Sequence, residues 1–365
     1  MDSPRGRILL MSGLLDGTVP LSATTVEHFD RCLGCMACLT SCPSGVRYDR
    51  LIEQTRAHVE EHYRRDDDDT FLRALIFATV PHPRRLRLAL ALTPPRLPGP
   101  LAPFAQLRPP WRSGALPPEV TPAVGVRRLR VGLLLGCVQR VVFGNVNVAT
   151  ARVLAAEGCE VVAPRGQECC GALHLHAGRH DEGRRRAARL AEAFGDVDVI
   201  VVNAAGCGSH LKESELPVRV VDISELLAEL GPQAQRQELP LRVAYQDACH
   251  LGHAQGIRDA PREVLRSIPG LELTEPAEQA ICCGSAGIYN LTQPGPAREL
   301  GERKAANVAA TGAEAYAAGN PGCLVQVSRY LRRAGRALPA LHPAELLDAS
   351  LRGVARDRLL VSARR

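Results

Sequence analysis

From residue 127 onward, short apolar runs alternate with longer amphipathic stretches, a pattern typical of strands and helices that follow one another in an α/β fold. The predicted strands are RLRVGLLLGC (128–137), EVVAP (160–164), VDVIVVNAAG (197–206), LRVAYQDAC (241–249), LELTE (271–275) and AEAYAAGNPG (313–322). The predicted helices between them include ATARVLAAEG (149–158), PREVLRSI (261–268) and RELGERKAANVAATG (298–312). This alternation predicts parallel sheets joined by helical crossovers.

The same order of elements occurs twice, and four cysteines recur with it. The first copy carries Cys137, the pair Cys169-Cys170 and Cys207, and the second carries Cys249, the pair Cys282-Cys283 and Cys323. Cys137 and Cys249 are 112 positions apart, Cys169 and Cys282 are 113 apart, and Cys207 and Cys323 are 116 apart. A constant period of this kind indicates two copies of one structural unit. Open parallel sheets place their ligand sites beyond the strand ends, where these cysteines lie.

The remainder of the chain differs in pattern. The segments TTVEHFDRCLGCMACL and YDRLIEQTRAHVEEHY have helical periodicity, and prolines crowd together between Pro81 and Pro122. Proline removes a backbone donor and restricts the backbone, so this stretch is predicted to be a linker or a strap. We therefore expect a small helical module (1–75), a proline-rich linker (76–126) and two repeated α/β cysteine-rich domains (127–235 and 236–365).

Composition and charge exclude several classes of protein. The chain of 365 residues is 45% hydrophobic, enough for two or three packed domains. Its net charge of +6 comes from 45 basic and 39 acidic side chains, without the concentrated basic stripe of a nucleic-acid-binding protein. The N-terminal apolar run is too short for a secretion signal, and no apolar stretch is long enough to span a membrane. We expect a cytoplasmic protein with at most peripheral membrane contact.

Thirteen cysteines in a chain without an export signal are expected to be reduced thiolates rather than disulfides. The densest group has the spacing Cys32-x2-Cys35-x2-Cys38-x3-Cys42-Pro43. This spacing wraps the backbone around a [4Fe–4S] cubane and predicts a ferredoxin-like module; a structural zinc site is the alternative. In modules with two such runs the fourth cysteine serves the other cluster. Either Cys42 closes this cluster, or the chain has lost a preceding run, or a partner supplies the missing ligand.

The duplicated motif, with its adjacent Cys-Cys-Gly, points to a second kind of metal site. Side chains of adjacent cysteines diverge, so they suit different metals of an extended cluster better than one tetrahedral ion, and the glycine allows close backbone approach. A multinuclear iron–sulfur centre is the favoured interpretation. A zinc ion in each repeat and a vicinal disulfide used as a redox switch are the alternatives.

Five other residues are weaker candidates for these sites. His174, His176, His250 and His253 lie near the Cys-Cys-Gly motif or the strand-end cysteine of a repeat and are predicted to be ligands, proton relays or ordinary hydrogen-bonded histidines. Cys159 has no counterpart in the second copy and is expected to be a small buried apolar residue. No glycine-rich nucleotide motif occurs in the required context, so no flavin or nucleotide site is predicted on this chain.

Together these segments resemble one known family. The ordered set PRGRI, DRCLGCMACLTSCPSGVRYDRLIE, GCVQ, NVNVATARVL, CCGALHLHAG, NAAGCGSHLKE, CHLGHAQGIR, CCGSAGIYNLTQP and GNPGCLVQ is similar to the iron–sulfur subunit of bacterial glycolate oxidase (glycolate dehydrogenase). That family belongs to a wider group with two cysteine-rich CCG domains, which also includes subunits of heterodisulfide reductase, anaerobic glycerol-3-phosphate dehydrogenase and lactate-utilisation systems. The resemblance covers the chain except for the proline-rich stretch.

The resemblance implies an oxidoreductase subunit that passes electrons from an FAD-containing glycolate oxidase subunit towards a quinone or another membrane acceptor, while the substrate is oxidised on the partner. By position, Cys32, Cys35, Cys38 and Cys42 match the family's second ferredoxin motif. The other two quartets match its CCG sets. Related proteins that donate electrons from lactate or glycerol 3-phosphate, or that exchange them with a thiol–disulfide couple, are the alternatives, as is a zinc-stabilised assembly subunit.

Two departures from the family pattern qualify this expectation. An earlier ferredoxin motif normally precedes PRGRI, whereas this chain begins at Met1. The motif for a second [4Fe–4S] cluster is therefore expected to be absent, either because it has been lost or because the start of the chain is misplaced. The heterodisulfide reductase type has a further cysteine three positions after the last one, whereas this chain has Ser209-His210 and Gln326 in those neighbourhoods. The alternatives for each repeat are therefore a non-cubane cluster, a simpler cluster, a zinc ion or one empty site.

Overall fold

The computed structural model describes residues 1–93 and 116–364. Its helices, numbered in chain order, are α1 Pro4–Leu15, α2 Ala23–Asp30, α3 Ala37–Ser41, α4 Tyr48–His62, α5 Asp67–Thr79, α6 Pro83–Leu92, α7 Gln139–Val142, α8 Gly144–Ala156, α9 Ala172–His176, α10 His180–Glu192, α11 Ala205–Glu213, α12 Ile223–Leu230, α13 Asp259–Arg266, α14 Tyr289–Thr292, α15 Pro294–Ala310, α16 Pro321–Arg333, α17 Pro343–Leu351 and α18 Arg356–Arg364, with a π-helix at His250–Ala254. The strands are β1 Val120–Thr121, β2 Leu129–Leu133, β3 Cys159–Val162, β4 Val199–Val202, β5 Arg219–Asp222, β6 Leu241–Gln246, β7 Leu271–Thr274, β8 Ala315–Ala318 and β9 Ala340–Leu341.

The strands form two sheets with matching topology. The first sheet has the order β1-β3-β2-β4-β5 and the second has the order β7-β6-β8-β9. In both, the first long strand of the repeat lies at the centre and pairs in parallel on each side: β2 with β3 and β4, and β6 with β7 and β8. Only β1 pairs antiparallel among the described strands. The prediction of two repeated α/β units with parallel sheets is confirmed.

The two repeats pack together through a continuous apolar core. Helix α8 of the first repeat lies against α17 of the second, and buried side chains from both sheets belong to the same cluster. The guanidinium group of Arg152 on α8 donates two hydrogen bonds to the carboxylate of Asp348 on α17, from Nε to Oδ1 at 2.7 Å and from Nη2 to Oδ2 at 2.5 Å. The repeats therefore form one body, and their strand-end loops are held in a fixed relation.

The N-terminal helices form a separate small unit. Helices α1, α2 and α4 enclose a core in which Phe29 and Ile52 are fully buried, and the cysteine loop runs between α2 and α4. This unit docks on both repeats: Thr40 Oγ1 lies 2.8 Å from His253 Nδ1, and Arg56 Nη1 donates to the carbonyl oxygen of His176 at 3.0 Å. The sequence predicted the helices but not this docking, because contacts between distant segments leave no local pattern.

The segment predicted as a linker from 76 to 126 contains helical structure at its start. Helix α5 extends to Thr79, and α6 occupies Pro83–Leu92, where a proline stands at the first turn, the position at which a helix tolerates it. Leu86 and Leu90 on α6 are buried. Residues 94–115, where most of the prolines lie, are outside the described residues. Within the described residues, no helix is both long enough and apolar enough to cross a bilayer.

Candidate metal centres and the cavity between them

The four cysteines of the first repeat meet at one edge of the first sheet. Cys137 follows β2, Cys169 and Cys170 precede α9, and Cys207 lies in the first turn of α11. Their thiols touch in sequence: Cys169 is in hydrogen-bonding contact with Cys137 and with Cys170, and Cys170 with Cys207. Cysteines that are 32 positions apart (Cys137 and Cys169) and 37 positions apart (Cys170 and Cys207) are therefore in contact, as the strand-end argument predicted.

The second repeat reproduces this arrangement. The Sγ atoms of Cys249 and Cys282 are 3.9 Å apart, and those of Cys283 and Cys323 are 3.5 Å apart. Cys282 and Cys283 are also in hydrogen-bonding contact, so the order of contacts is the same as in the first repeat. All thirteen cysteines are free thiols, so no vicinal disulfide is present. Within the described ranges, no group of three or more Cys, His, Asp or Glu side chains is preformed to hold a single metal ion.

The glycine of each Cys-Cys-Gly is required by the backbone. Gly171 has a φ of +94°, and a Cβ there would lie 2.3 Å from the carbonyl oxygen of Gly183. Gly284 has a φ of +84°, and a Cβ there would lie 2.6 Å from the carbonyl oxygen of Ala297. An L-residue rarely adopts this conformation, and neither oxygen belongs to a flexible side chain. The glycine thus lets the helix that follows pack directly behind the cysteine loop.

The thiols cannot ionise together unless a cation lies among them. Contact with a neighbouring thiol, together with burial, raises the pKa of Cys137, Cys170 and Cys249 well above its ordinary value. Cys169 accepts hydrogen bonds from the thiols of Cys137 and Cys170, and these bonds hold its pKa well below the ordinary value. Four buried sulfur atoms in contact are soft donors that bind iron or zinc as thiolates. The residues present therefore fit a thiolate-ligated metal group in each repeat.

The N-terminal loop gathers three of its four cysteines. Gly34 N donates to Cys32 Sγ at 3.4 Å, and the hydroxyl of Tyr48 donates to the same sulfur at 3.6 Å. Burial, followed by the charge of Cys249, raises the pKa of Cys35 to about 11, and burial with the charge of Cys35 raises that of Cys38 to about 11. Because the charge of Cys249 acts on Cys35, this group of thiols lies within electrostatic range of the quartet of the second repeat.

Cys42 has different surroundings from the other three. Within the described residues it forms no hydrogen bond with another thiol, and the backbone N–H groups of Val46 and Ser44 lower its pKa. Its position after α3 turns it towards the side of the molecule where Arg5 lies. Among the alternatives that the sequence left open, we predict that Cys42 does not close the cluster of Cys32, Cys35 and Cys38, because the fourth cysteine of such a run serves the other cluster in two-cluster modules.

Cys35 and Cys42 belong to one motif but are expected to differ in their effect on iron binding. We expect Cys35→Ser to lower iron binding at the N-terminal loop by about 100-fold or more, since a ligand change should cost at least as much as an outer-shell change. Cys42→Ser should leave the iron content of this chain nearly unchanged. Iron analysis and EPR of the two variants, purified without oxygen, measure this. Equal losses in both variants would show that all four cysteines hold one cluster.

The two quartets face a common cavity of about 270 Å³. All eight cysteines of the repeats line it, and its remaining wall is mostly apolar. Helices α5 and α6 form one side, with Ile76, Leu86 and Leu90 among the contacting residues. We call this cavity the chamber. The sequence did not predict it, because α6, which forms part of this side, belongs to a segment whose prolines favoured a linker.

The four histidines separate into two pairs. His174 pairs with Glu182 (Nε2–Oε1 3.1 Å), and His253 contacts Thr40 and the carbonyl oxygen of Ala280 (3.0 Å), so both have ordinary structural partners. His176 and His250 line the chamber, with ring centroids 4.9 Å apart. Cys159 is fully buried in the core between the repeats, as expected for an apolar role.

Tyr48, Arg56 and Glu53 are residues near the site that the sequence did not single out. Tyr48 and Arg56 bind Cys32 through its sulfur and its carbonyl oxygen, respectively, with the latter contact at 2.5 Å. Glu53 is buried next to His176. All three lie on α4, and Tyr48 and Arg56, two helical turns apart, contact the cysteine loop. That spacing is the only signal in the sequence that could have identified them.

A duplicated parallel sheet with a cysteine quartet at the strand ends defines a protein with two cysteine-rich domains. Consistent with this class, the family described as "Cysteine-rich domain" (CCG) matches residues 131–212 and 243–328, the two stretches that contain the quartets. The chain resembles the crystal structure of a hypothetical protein from Helicobacter pylori, with a TM-score of 0.52 and 11% identity over 86% of this chain and 59% of the other. That likeness concerns the fold.

The chain belongs to the family of glycolate oxidase iron–sulfur subunits. It is 34% identical to the probable glycolate oxidase iron-sulfur subunit of Bacillus subtilis, over 94% of this chain and 87% of the relative. It is 33% identical to the glycolate oxidase iron-sulfur subunit of Escherichia coli, over 96% and 88%. Lactate utilization protein A of Oceanobacillus iheyensis is 28% identical over 62% of this chain and 99% of that protein.

Proposed function

We propose that this chain is the iron–sulfur electron-transfer subunit of a glycolate-oxidising complex. It accepts electrons from an FAD-containing partner subunit that oxidises glycolate to glyoxylate, and it passes them to a quinone-type acceptor. The observation that carries this proposal is the contiguity of three thiol groups: the N-terminal loop, the quartet of the second repeat and, across the chamber, the quartet of the first repeat. Membership of the family supports the choice of glycolate.

Each thiol group has a distinct part in this proposal. Cys32, Cys35 and Cys38 hold a [4Fe–4S] cluster in a ferredoxin-like loop, and the two quartets each hold a further thiolate-ligated centre. When bound, iron–sulfur centres accept and release electrons at potentials set by hydrogen bonds to sulfur and by solvent exposure. Tyr48 and the backbone of Gly34 donate such bonds to Cys32. The contact of the thiols in an ordered series supports an extended iron–sulfur cluster in each repeat over a single zinc ion.

The electron donor and the electron acceptor in this proposal approach different parts of the molecule. The N-terminal unit lies on the outside of the molecule and offers the surface at which a flavoprotein subunit can approach Cys38, which is partly exposed. The chamber is largely apolar, which suits a small acceptor. We propose a cytoplasmic location with peripheral contact to the inner face of the membrane, where quinones reside.

A reduction experiment tests this function. The chain should be produced without oxygen together with its FAD-containing partner, and glycolate should then bleach the visible absorption of the iron–sulfur centres. Lactate and glycerol 3-phosphate serve as alternative donors in separate samples. Bleaching by glycolate alone is the expected result. Bleaching by another donor and not by glycolate would assign the chain to a related complex, and no bleaching by any donor would contradict electron transfer.

A further inference from the structure

A cation is buried beside the cysteine quartet of the first repeat. The guanidinium group of Arg140, on α7, donates from Nε to the carbonyl oxygen of Gly136 and from Nη2 to that of Gln167, both at 2.7 Å. Gly136 directly precedes Cys137, and Gln167 lies two residues before Cys169. Arg140 therefore connects the two loops that carry these cysteines.

The second repeat also contains a buried cation. The side chain of Lys304, on α15, is fully buried. Its Nζ donates to the carbonyl oxygen of Glu278 at 2.6 Å and to that of Gln279 at 3.3 Å. Both carbonyl groups belong to the loop that leads into Cys282. In each repeat, a positive charge is thus held by backbone oxygens next to the cysteines.

In the part of the chain that the structure describes, neither cation forms an ion pair with a carboxylate. Burial lowers the pKa of both side chains, and the charges that oppose this effect are chiefly those of thiols. These thiols are Cys137 and Cys169 for Arg140, and Cys283, Cys323 and Cys282 for Lys304. Glu278 has a smaller effect on Lys304, and its carboxylate binds Arg303 and Asn307. A buried charge without an opposite charge is strongly unfavourable, so both cations require an anionic group among the thiols.

The two cations occupy different positions in the duplicated unit. Three positions after the first cysteine of the quartet, the first repeat has Arg140 and the second has Gly252. At 21 positions after the second cysteine of the Cys-Cys pair, the second repeat has Lys304 and the first has Ala191. A cation needed only to pack the shared fold would stand at the same position in both copies. The two copies therefore share the positive charge and not the residue that supplies it.

We propose that Arg140 and Lys304 are the counter-charges of the two thiolate-ligated centres and raise their midpoint potentials. This inference rests on the proposed electron-transfer function. An iron–sulfur centre gains one negative charge when it takes up one electron from the flavoprotein partner, and a buried cation nearby stabilises that reduced form. No proton has to accompany the electron, because the compensating charge is already in place. Both side chains act on the centres through their charge and are not ligands.

A redox titration followed by EPR on the iron-loaded chain, purified without oxygen, tests the second repeat. Lys304→Gln keeps an N–H donor and removes the charge. It should lower the midpoint potential of this centre by about 59 mV or more, which is a tenfold change in a one-electron equilibrium. Lys304→Arg keeps the charge and should keep the wild-type potential. Arg303→Gln is the matched control, because Arg303 is the adjacent residue on α15 and is an exposed cation paired with Glu278, and it should change no potential.

Arg140→Gln is an independent test in the first repeat. It should lower the potential of that centre by a similar amount and leave the second repeat unchanged, and Arg140→Lys should keep the wild-type potential. The N-terminal centre is the internal reference and should be the same in every variant. If a Gln variant loses its iron, the iron content of the variant that keeps the charge decides the question. Iron retained in that variant supports a role of the charge, and iron lost from it as well would overturn the inference.

Three further outcomes would overturn the inference. These are equal potentials in the wild type and both Gln variants, equal shifts in the Gln variants and the variants that keep the charge, and a shift of all three centres by the same amount. Quartets filled with zinc would have no potential to shift, and that result would instead contradict the proposed function.

Discussion

Replacing Cys170 by serine is expected to remove the metal centre of the first repeat while the second repeat keeps its own. Cys170 is buried and contacts both Cys169 and Cys207, so its loss interrupts the series of thiols at its middle. A serine hydroxyl is a hard donor that rarely ionises, and it replaces thiolate poorly towards iron. Affinity should fall by more than about 100-fold, beyond the usual effect of outer-shell changes. Iron content and EPR after reduction measure it.

Two further variants make this result specific. Cys283→Ser changes the equivalent residue of the second repeat and should remove the other centre, and the double variant should retain only the iron of the N-terminal loop. Cys159→Ala removes a buried thiol outside both quartets, at a cost of about 1 kcal/mol in folding free energy, and should keep all its iron. If Cys159→Ala and Cys170→Ser lost iron alike, general destabilisation would explain the loss.

Gly171→Ala is expected to destabilise the first repeat by at least about 3 kcal/mol. The positive φ of +94° alone costs an L-residue about 1–3 kcal/mol, and the new Cβ would lie 2.3 Å from a backbone oxygen that cannot move without displacing α10. Because the cysteine pair is adjacent, the metal content of this repeat should fall as well. Denaturant unfolding and iron analysis of the same preparation record both effects.

Gly166→Ala is the matched control for this substitution. Gly166 lies five residues away in the same loop, is exposed, and has no heavy atom within 4 Å of an added Cβ. Its unfolding free energy should stay within about 0.5 kcal/mol of the wild type, as for most surface changes. Equal stability of the two variants would contradict the close packing seen at Gly171.

The duplicated fold could be predicted from local pattern. The apolar runs around Val131, Val199 and Val243 became central strands of two parallel sheets, because a strand buried on both faces requires a continuous apolar sequence. The strand-end cysteines met as expected, since parallel strands deliver their carboxyl ends to one edge. Short elements such as β1 and β9, with two residues each, have too little pattern to be predicted.

The relation between the units could not be predicted in the same way. The position of Cys35 next to Cys249, and the closure of the chamber by α6, depend on how three folded units fit together. Whether Cys42 joins the cluster of its motif depends on the path of the chain through the short helix α3, which contains Cys38. The spacing of the cysteines is compatible with either arrangement, so only the fold distinguishes them.

The central claim is that thiolates from distant segments hold inorganic iron. Its most direct test is the chemical analysis of the wild-type chain purified without oxygen: total iron, acid-labile sulfide and zinc per chain, with EPR after reduction by dithionite. We predict a coloured protein with iron and labile sulfide in comparable amounts and EPR signals that appear on reduction. A colourless protein with stoichiometric zinc and no labile sulfide would contradict the claim.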